Sequence, residues 1–303
     1  MSAPTPLHET RLLGRTRIHA LQAGGVLLDG GAMFGVVAKP LWEKRIAPDE
    51  KNRIALGMRC LLVEHPDGLV LIDTGVGNKE DAKFLQIYGI EAEAPGHRSM
   101  LDAALAQAGF SAADVKSVIN THLHFDHAGG NTMLGGGGTV GVADGAAGRA
   151  IEPAFPNARY FVHGGELEYA LRSNERTSAS YFPRNWDPLR ATGQLEIVDG
   201  RAELLPGIRM RPTPGHTPHH QSIVIDGGGE TAVFLADVCP TVAHLPLPWI
   251  MGYDVEPLVT LESKRALWAE AEAGGWLVVF EHDATTAWGR IRRGAKAPEL
   301  VPV

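Results

Sequence analysis

The sequence predicts an α/β fold, and three observations support this prediction. Apolar runs of strand length recur along the 303 residues together with segments of helical periodicity. Several of these runs end in a histidine or a carboxylate, as in open α/β sheets, which gather their ligands at the carboxyl ends of strands. The length is enough for one large domain with a substantial core. Because no linker or composition break divides the chain, we expect a single domain over residues 1–303, with residues 1–16 as a candidate loose tail.

The first half of the chain contains four predicted strands and one predicted helix. Apolar runs bounded by turn signals, such as the His-Pro-Asp-Gly sequence at 65–68, indicate the strands. Apolar residues at helical spacing, ended by Gly109, indicate the helix. Four glycines at 135–138 lack the lysine and helix start of a phosphate site and predict a surface loop. The predicted strands are 18–28, 57–64, 69–73 and 115–120, and the predicted helix is 100–108.

The second half continues the alternation of strands and helices. Strands are predicted at 160–163, 232–235 and 276–280, and helices at 166–172 and 258–273. The last helix is amphipathic, and we expect its inward face to carry Leu258, Leu261, Leu267 and Trp268.

The loop after the strand at 115–120 carries an unusual cluster of polar residues. His122, His124, Asp126 and His127 place three imidazoles and one carboxylate within six residues. Such groups would compete for partners and repel one another when protonated, whereas neutral imidazole and carboxylate are good ligands for Zn²⁺ and also for Mn, Fe or Co. A catalytic tetrahedral ion uses three protein ligands and a water. Four ligands here, with further candidates downstream, therefore suggest two neighbouring ions.

Three later segments supply the further candidates. His216 lies in a Pro- and Gly-rich loop, Asp237 follows the strand at 232–235, and His282 follows the strand at 276–280. Each alone is compatible with a simple strand stop, but their combination with the first cluster indicates one site. The neighbouring His219 and His220 are expected to be structural.

These motifs resemble those of metallo-β-lactamase-fold hydrolases, over residues 17–290. The resemblance rests on the HxHxDH run, the three later ligands and the Asp73-Thr74-Gly75 turn. It implies a four-layer αββα sandwich with two metal ions. His122, His124 and His216 would hold one ion, Asp126, His127 and His282 the other, and Asp237 would bridge them. Asp73 would support a ligand histidine, with turn capping as the alternative.

Within this family the sequence is similar to the quorum-quenching N-acyl-homoserine-lactone lactonases. The similarity lies in residues 30–37, 122–130 and 213–222, with weaker likeness at 241–245 and 251–254. One position departs from the pattern, because Pro240 stands where bacillus-type lactonases have a catalytic Tyr. His244 is the first candidate to replace this Tyr, and Tyr253 is the second.

The resemblance and the charge chemistry together predict a mechanism. Hydroxide held between two ions would attack the carbonyl carbon of a lactone, with N-acyl-homoserine lactone as the expected substrate. Asp126 would orient the nucleophile or pass a proton. Together with the bridging Asp237 and with His244, the candidate to replace the Tyr, it completes the set of predicted catalytic residues. An organophosphate or aryl-ester hydrolase on the same site is the alternative. A redox enzyme and a non-catalytic scaffold are disfavoured, because the full ligand set is present.

Aromatic and Met side chains in loop-like segments are candidates for an apolar substrate pocket. Core packing or a dimer contact is the competing interpretation for each of them. The candidates are Met33, Phe34, Trp42, Phe182, Trp186 and Trp249.

Composition predicts an ordinary cytoplasmic enzyme. The net charge is −7, no Lys/Arg run forms a nucleic-acid footprint, and no apolar run reaches membrane-spanning length. We therefore expect a small-molecule lactone or ester as partner, without nucleic acid or membrane, and a homodimer as the oligomer to consider. Cys60 and Cys239 are expected to be buried free thiols.

Overall fold

The protein is described here from a computed structural model, which covers residues 7–135, 150–200, 202–295 and 297–303. Two seven-stranded sheets and eight α-helices in the described residues confirm the predicted α/β class. These are the components of the αββα sandwich that the resemblance implies. The helices are α1 Gly30–Phe34, α2 Lys39–Trp42, α3 Ala82–Tyr88, α4 Met100–Gln107, α5 Phe125–Ala128, α6 Gly164–Leu171, α7 Asp187–Thr192 and α8 Pro257–Gly274.

The strands of the first sheet have the order β1-β2-β3-β4-β5-β8-β9, and those of the second run from β10 to β16 in sequence order. A two-stranded sheet pairs β6 with β7. The strands are β1 His8–Leu13, β2 Thr16–Asp29, β3 Arg53–His65, β4 Gly68–Ile72, β5 Val115–Ile119, β6 Thr132–Leu134, β7 Ile151–Pro153, β8 Arg159–His163, β9 Leu195–Val198, β10 Glu203–Leu205, β11 Ile208–Pro212, β12 Gln221–Asp226, β13 Thr231–Phe234, β14 Leu277–Val279, β15 Trp288–Arg293 and β16 Pro298–Val301.

Residue contacts divide the described chain into two compact units. Unit 1 contains residues up to 11, residues 16–26 and residues 58–199, and unit 2 contains residues 12–15, 27–57 and 200–303. Whether the chain behaves as one domain stays a prediction. Within residues 1–16, considered above as a loose tail, His8–Leu13 forms strand β1 with Leu13 fully buried, and residues 1–6 lie outside the described residues. Most of the glycine run at 135–138 also lies outside them.

In unit 1, parallel strands bring two loops to one sheet edge. Strand β4 pairs with β5 in parallel, with Ile72 opposite Ile119. The residues that follow these strands therefore emerge side by side, and the backbone N–H of Asp73 donates to the carbonyl of Ile119 at 3.0 Å. The predicted ligand cluster begins just beyond this point.

In unit 2, the same arrangement presents the later ligands. Strand β13 pairs with β14 in parallel, with Phe234 opposite Val279. Asp237 and His282 follow the carboxyl ends of these two strands. Their strands are held by a buried core that includes Val233, Val278, Leu267 and Trp268.

Helix α8 corrects one prediction. Leu258 is 77% exposed and Leu261 is half-buried, whereas Leu267 and Trp268 are buried as expected. The helix begins at Pro257, and its buried face repeats at helical spacing through polar residues that an apolar pattern does not reveal. This face consists of Thr260, Ser263, Lys264, Leu267, Trp268 and Ala271.

The cysteines are free and buried, as predicted. Among the described residues, no helix combines the length and apolarity needed to cross a membrane.

Candidate metal centre

The predicted ligand cluster of unit 1 is compact and buried. His122 and His127 are fully buried, Asp126 is 9% exposed and His124 is half-buried. The ring centroids of His122 and His127 are 3.9 Å apart, and those of His122 and His124 are 4.5 Å apart. An Oδ1 atom of Asp126 lies 3.9 Å from Nε2 of His127. Three imidazoles this close favour a shared cation, because protonated rings would repel one another.

Asp73 anchors this cluster from the end of β4. Its side chain is fully buried, and its backbone has φ +55°, an uncommon conformation for a residue other than Gly. Its carboxylate accepts hydrogen bonds from the Thr121 N–H at 2.8 Å, the Thr121 hydroxyl at 2.6 Å and His127 Nδ1 at 3.0 Å. Because Nδ1 of His127 donates to Asp73, its Nε2 is directed to a ligand role. The expected support of a ligand histidine by Asp73 is present in this geometry.

The same network orients His122. Its Nδ1 lies 3.1 Å from the Thr121 hydroxyl, which already donates to Asp73 and therefore accepts from the ring. Histidines that bind metals usually engage their second ring nitrogen in this way, which fixes the tautomer and leaves Nε2 available.

Two glycines allow the ligand loop to pack closely. A Cβ at Gly129 would collide with the backbone of Val76, and one at Gly130 with the carbonyl of Thr74. The buried ammonium of Lys79 donates to the carbonyls of Gly129 and Thr132. Because Gly129 and Gly130 have no side chain, the backbone after the HxHxDH run can pack directly against the backbone of Thr74 and Val76.

Glu166 was not identified from the sequence as part of this region. It is fully buried at the start of α6, and Oε1 accepts from the Leu123 N–H at 3.1 Å and the Tyr181 hydroxyl at 3.0 Å. Tyr181 in turn packs edge-on against the His124 ring, with centroids 4.8 Å apart. This carboxylate thus holds the backbone between two ligand histidines. The sequence does not indicate this role, because Glu166 and Leu123 are 43 positions apart.

In unit 2, the carboxylate of Asp237 lies between two histidines. Its Oδ2 is 3.0 Å from Nε2 of His216, and its Oδ1 is 3.0 Å from Nε2 of His282. Ligand atoms around one tetrahedral zinc, with bonds of about 2.0–2.1 Å, are separated by roughly 3.3 Å. The two carboxylate oxygens therefore face different imidazoles at a spacing suited to a carboxylate shared by two ions.

Both histidines of unit 2 also engage their Nδ1 atoms. His216 Nδ1 lies 2.9 Å from Oδ1 of Asp254, and His282 Nδ1 lies 2.7 Å from the carbonyl of Gly57. Asp254 is buried and accepts from the Thr260 hydroxyl at 2.6 Å. The sequence did not identify Asp254 as a partner of His216, because 38 residues separate them.

The pKa of His216 reflects these carboxylates. Burial acts to lower it, but the charges and hydrogen bonds of Asp237 and Asp254 prevail and raise the pKa to about 10. In the absence of a cation the ring is therefore protonated at neutral pH. This site attracts positive charge, whether from a proton or from a metal ion.

His244, the predicted substitute for the lactonase Tyr, has both ring nitrogens engaged. Nε2 lies 2.8 Å from the carbonyl of Met33, and Nδ1 lies 2.8 Å from the Thr241 hydroxyl. The ring is fully buried and stacks on Phe34 at 4.4 Å, and burial lowers its pKa to about 3. These contacts favour a structural role, and its predicted catalytic role remains untested. Tyr253, the second candidate, is 40% exposed.

The predicted pocket residues divide into buried and partly exposed groups. Met33, Phe34, Trp42 and Trp186 are at most 1% exposed, whereas Phe182 and Trp249 are half-buried. Phe34 stacks on Trp42 at 5.2 Å and meets the edge of Trp249 at 5.7 Å. Trp186 belongs to a core cluster of unit 1 with Leu123 and Ala128. Core packing thus accounts for the buried four, and a substrate role for any of the six stays a prediction.

The donor set fits divalent metal ions. Five imidazoles and two carboxylates are available, four of the imidazoles have Nδ1 hydrogen-bonded, and every one of the seven predicted ligands belongs to a side-chain group that could hold an ion. Such mixed nitrogen and oxygen donors suit Zn²⁺ and its neighbours.

Comparisons with known proteins agree with this donor set. A model of the Metallo-beta-lactamase superfamily matches residues 57–301. The chain is 29% identical over 172 residues to an N-acyl homoserine lactonase from Bacillus sp, a match that spans 55% of this chain and only 57% of that relative.

Two solved structures extend the likeness along the chain. A probable metal-dependent hydrolase from Staphylococcus aureus is 29% identical with a TM-score of 0.82, over 96% of this chain and 99% of that one. AidC, a dizinc quorum-quenching lactonase, shares the fold with a TM-score of 0.75 at 22% identity, over 98% of this chain and 97% of that one. With the family match over most of its length, the chain belongs to the metallo-beta-lactamase superfamily.

Proposed function

We propose that the protein is a dinuclear metal-dependent hydrolase that opens a lactone ring, with N-acyl-homoserine lactones as the substrate class. The observation that carries the proposal is the position of Asp237, whose two oxygens face Nε2 atoms of two different histidines at 3.0 Å. The lactone class is supported by the name of the Bacillus relative and by the lactonase-like motifs around the ligands.

The ligand assignment follows the resemblance to metallo-β-lactamase-fold hydrolases. We assign His122, His124 and His216 to one ion, and Asp126, His127 and His282 to the other. We assign Asp237 to both, because its two oxygens contact His216 and His282. Zn²⁺ is the expected metal, with Mn, Fe or Co as alternatives. When bound, two such ions supply hydroxide at neutral pH and stabilise negative charge on a carbonyl oxygen.

The protein's own side chains complete the chemistry. Opening a lactone converts a ring oxygen into an alcohol, so one proton must reach the leaving oxygen. Asp126 is the ligand carboxylate with measurable exposure in unit 1, and we assign it to orient the attacking water and to carry this proton. Asp73 and Asp254 hold the rings of His127 and His216, so that the ligand atoms are fixed before substrate binds.

The first prediction tests metal content and substrate class together. Protein purified without chelator should approach two metal ions per chain by elemental analysis. It should open N-acyl-homoserine lactones of some acyl-chain length, measured as proton release in a pH-stat, faster than it hydrolyses aryl esters or phosphotriesters. Chelation should abolish turnover, and added Zn²⁺ should restore it.

Two results would contradict separate parts of this proposal. Rapid hydrolysis of phosphotriesters or aryl esters, with lactones of every chain length untouched, would show that the lactone assignment is wrong. Full activity with one ion per chain would contradict the dinuclear site. Asp237→Ala is the control, because it should lose at least one ion and nearly all turnover while the protein stays folded. A cytoplasmic location and a homodimer remain predictions from the sequence.

A further inference from the structure

His220 lies at the junction of two segments that carry predicted ligands. It is fully buried and closes the loop that presents His216, because its carbonyl accepts from the Thr213 N–H at 2.9 Å. Its ring also contacts the turn that presents Asp237, since Nε2 accepts from the backbone N–H of Asp237 at 3.1 Å. A single imidazole thus ties the His216 loop to the Asp237 backbone.

A buried chain of hydrogen bonds fixes the ring of His220. Because Nε2 accepts from Asp237, the neutral ring carries its proton on Nδ1 and donates to the Thr213 hydroxyl at 2.8 Å. Thr213 then donates to the Ser222 hydroxyl at 3.0 Å, and Ser222 donates to the carbonyl of Leu235 at 3.0 Å. The chain ends two residues before Asp237, so it begins and ends on the same turn.

This turn needs external support. Ala236, directly before Asp237, has φ +48°, a left-handed conformation that is unfavourable for residues other than Gly, Asn and Asp. A residue held in such a conformation persists where its surroundings determine it, with a cost on the order of 1–3 kcal/mol. The hydrogen bonds to Asp237 N–H and to the Leu235 carbonyl bracket Ala236 on both sides.

We propose that His220 is a positioning residue that aims the Asp237 carboxylate at the metal ions through the Asp237 backbone N–H. It does not touch substrate or metal in this role. The inference rests on the proposed metal centre but not on the identity of the substrate. It assigns a function to a histidine that the sequence suggested only as structural.

A matched pair of substitutions distinguishes the hydrogen bond made by Nδ1 of His220 from the one made by Nε2. In His220→Gln the amide oxygen reaches the position of Nε2 and can accept from Asp237 N–H, but the bond to Thr213 is lost. In His220→Asn the shorter amide reaches the position of Nδ1 and keeps Thr213, but loses Asp237. The measurement is Zn²⁺ affinity of the metal-free protein by competition with a chromophoric chelator, together with kcat and KM.

We expect His220→Asn to weaken binding of at least one ion by about 10- to 100-fold, the usual loss for a group that orients a ligand. It should lower kcat with KM near the wild-type value. His220→Gln should recover most of both losses. Equal affinities in all three proteins, or equal losses in both variants, would overturn the inference.

A second pair keeps the test decisive if His220→Asn does not fold. Thr213→Val removes the acceptor for Nδ1 at similar volume, and Thr213→Ser retains the hydroxyl. Valine should weaken Zn²⁺ binding, because only a proton held on Nδ1 keeps Nε2 of the imidazole as the acceptor for Asp237 N–H, a requirement that the amide oxygen of His220→Gln does not have. Serine should not weaken it, and identical affinities would overturn the inference. Since affinity is measured without substrate, a failure to open lactones would contradict the proposed substrate class and leave this result intact.

Discussion

His244 is a buried histidine whose environment favours the neutral ring near neutral pH. Burial lowers its pKa to about 3, below the ordinary 6.5, so the folded protein keeps this ring neutral while the unfolded chain protonates it below about pH 6.5. Its contribution to stability is therefore present above pH 6.5 and is lost as the pH falls toward 3. These contacts favour a structural role, and the predicted catalytic role of His244 stays a prediction.

The second prediction follows for His244→Ala. Loss of the bonds to Met33 and Thr241 and of the stacking on Phe34 should destabilise the fold by about 2–4 kcal/mol. Metal content and the shape of the pH profile of kcat/KM between pH 6 and 9 should not change. The measurements are thermal unfolding, elemental analysis and a pH–rate profile. Disappearance of an ionisation from that profile would instead assign His244 to proton transfer.

The candidate metal ligands could be identified from the sequence, but most of the residues that support them could not. His122, His124 and His127 are recognisable because they crowd within six residues after a strand. Glu166 contacts Leu123, 43 positions away, and Asp254 contacts His216, 38 positions away, and no sequence pattern indicates either contact. Asp73 was the exception, since the family resemblance includes the Asp73-Thr74-Gly75 turn.

Helix α8 holds a neighbouring loop through one buried lysine. Lys264 Nζ donates to the carbonyls of His244 at 2.7 Å, Pro246 at 3.0 Å and Trp249 at 2.8 Å. Burial lowers the pKa of this ammonium, but all three of its donors have acceptors. The loop at 244–249 is therefore shaped by the helix beside it.

The third prediction is that Lys264→Met destabilises the protein by about 3 kcal/mol or more. It would leave three carbonyls without this donor, that of buried His244 and those of partly buried Pro246 and Trp249, each at a cost of about 1–3 kcal/mol, partly relieved by relaxation and water. Arg265→Met on the same helix is the control, because Arg265 is exposed in an ion pair with Glu262 and should change stability by less than about 0.5 kcal/mol. Chemical denaturation measures both. Equal effects would mean that the three hydrogen bonds of Lys264 contribute little to stability.

The elements that present ligands were predicted because their apolar patterns are strong. Strands β4, β5 and β14 and helices α4 and α6 appear close to their predicted positions. Strands β15 and β16 were not predicted, because they are only partly buried and contain charged residues, three Arg in β15 and one Glu in β16. The polar buried face of α8 likewise escapes a rule based on apolar spacing.

At the scale of the whole molecule, we expect a metal ion to compete with a proton for His216. The pKa of about 10 places a proton on His216 of the metal-free protein at neutral pH, whereas the unfolded chain loses it near 6.5. This pairing stabilises the metal-free fold fully below pH 6.5, and the contribution is lost as the pH rises toward 10. A bound ion replaces the proton, so its net stabilisation grows over the same interval.

The fourth prediction is that the difference in Tm between metal-loaded and metal-free protein increases from pH 6.5 to pH 8.5. For one displaced proton the free-energy difference should grow by about 1.4 kcal/mol per pH unit. Scanning calorimetry at fixed free Zn²⁺ measures it. Asp254→Asn should reduce the slope, because it removes one carboxylate that raises the His216 pKa. A pH-independent difference would show that no proton is displaced.

The three hydrogen bonds of Lys264, on helix α8, also affect how the protein responds to ionic strength. Mobile counterions screen exposed charges over about 8–10 Å in physiological buffers, but they do not enter a site from which solvent is excluded. The Lys264 ammonium is fully buried, so dissolved salt weakens its attraction to the three carbonyls much less than it weakens an exposed ion pair. Exposed pairs such as Arg292 with Glu299 loosen as salt is added. We therefore expect the conformation of the loop at 244–249 to depend little on salt concentration.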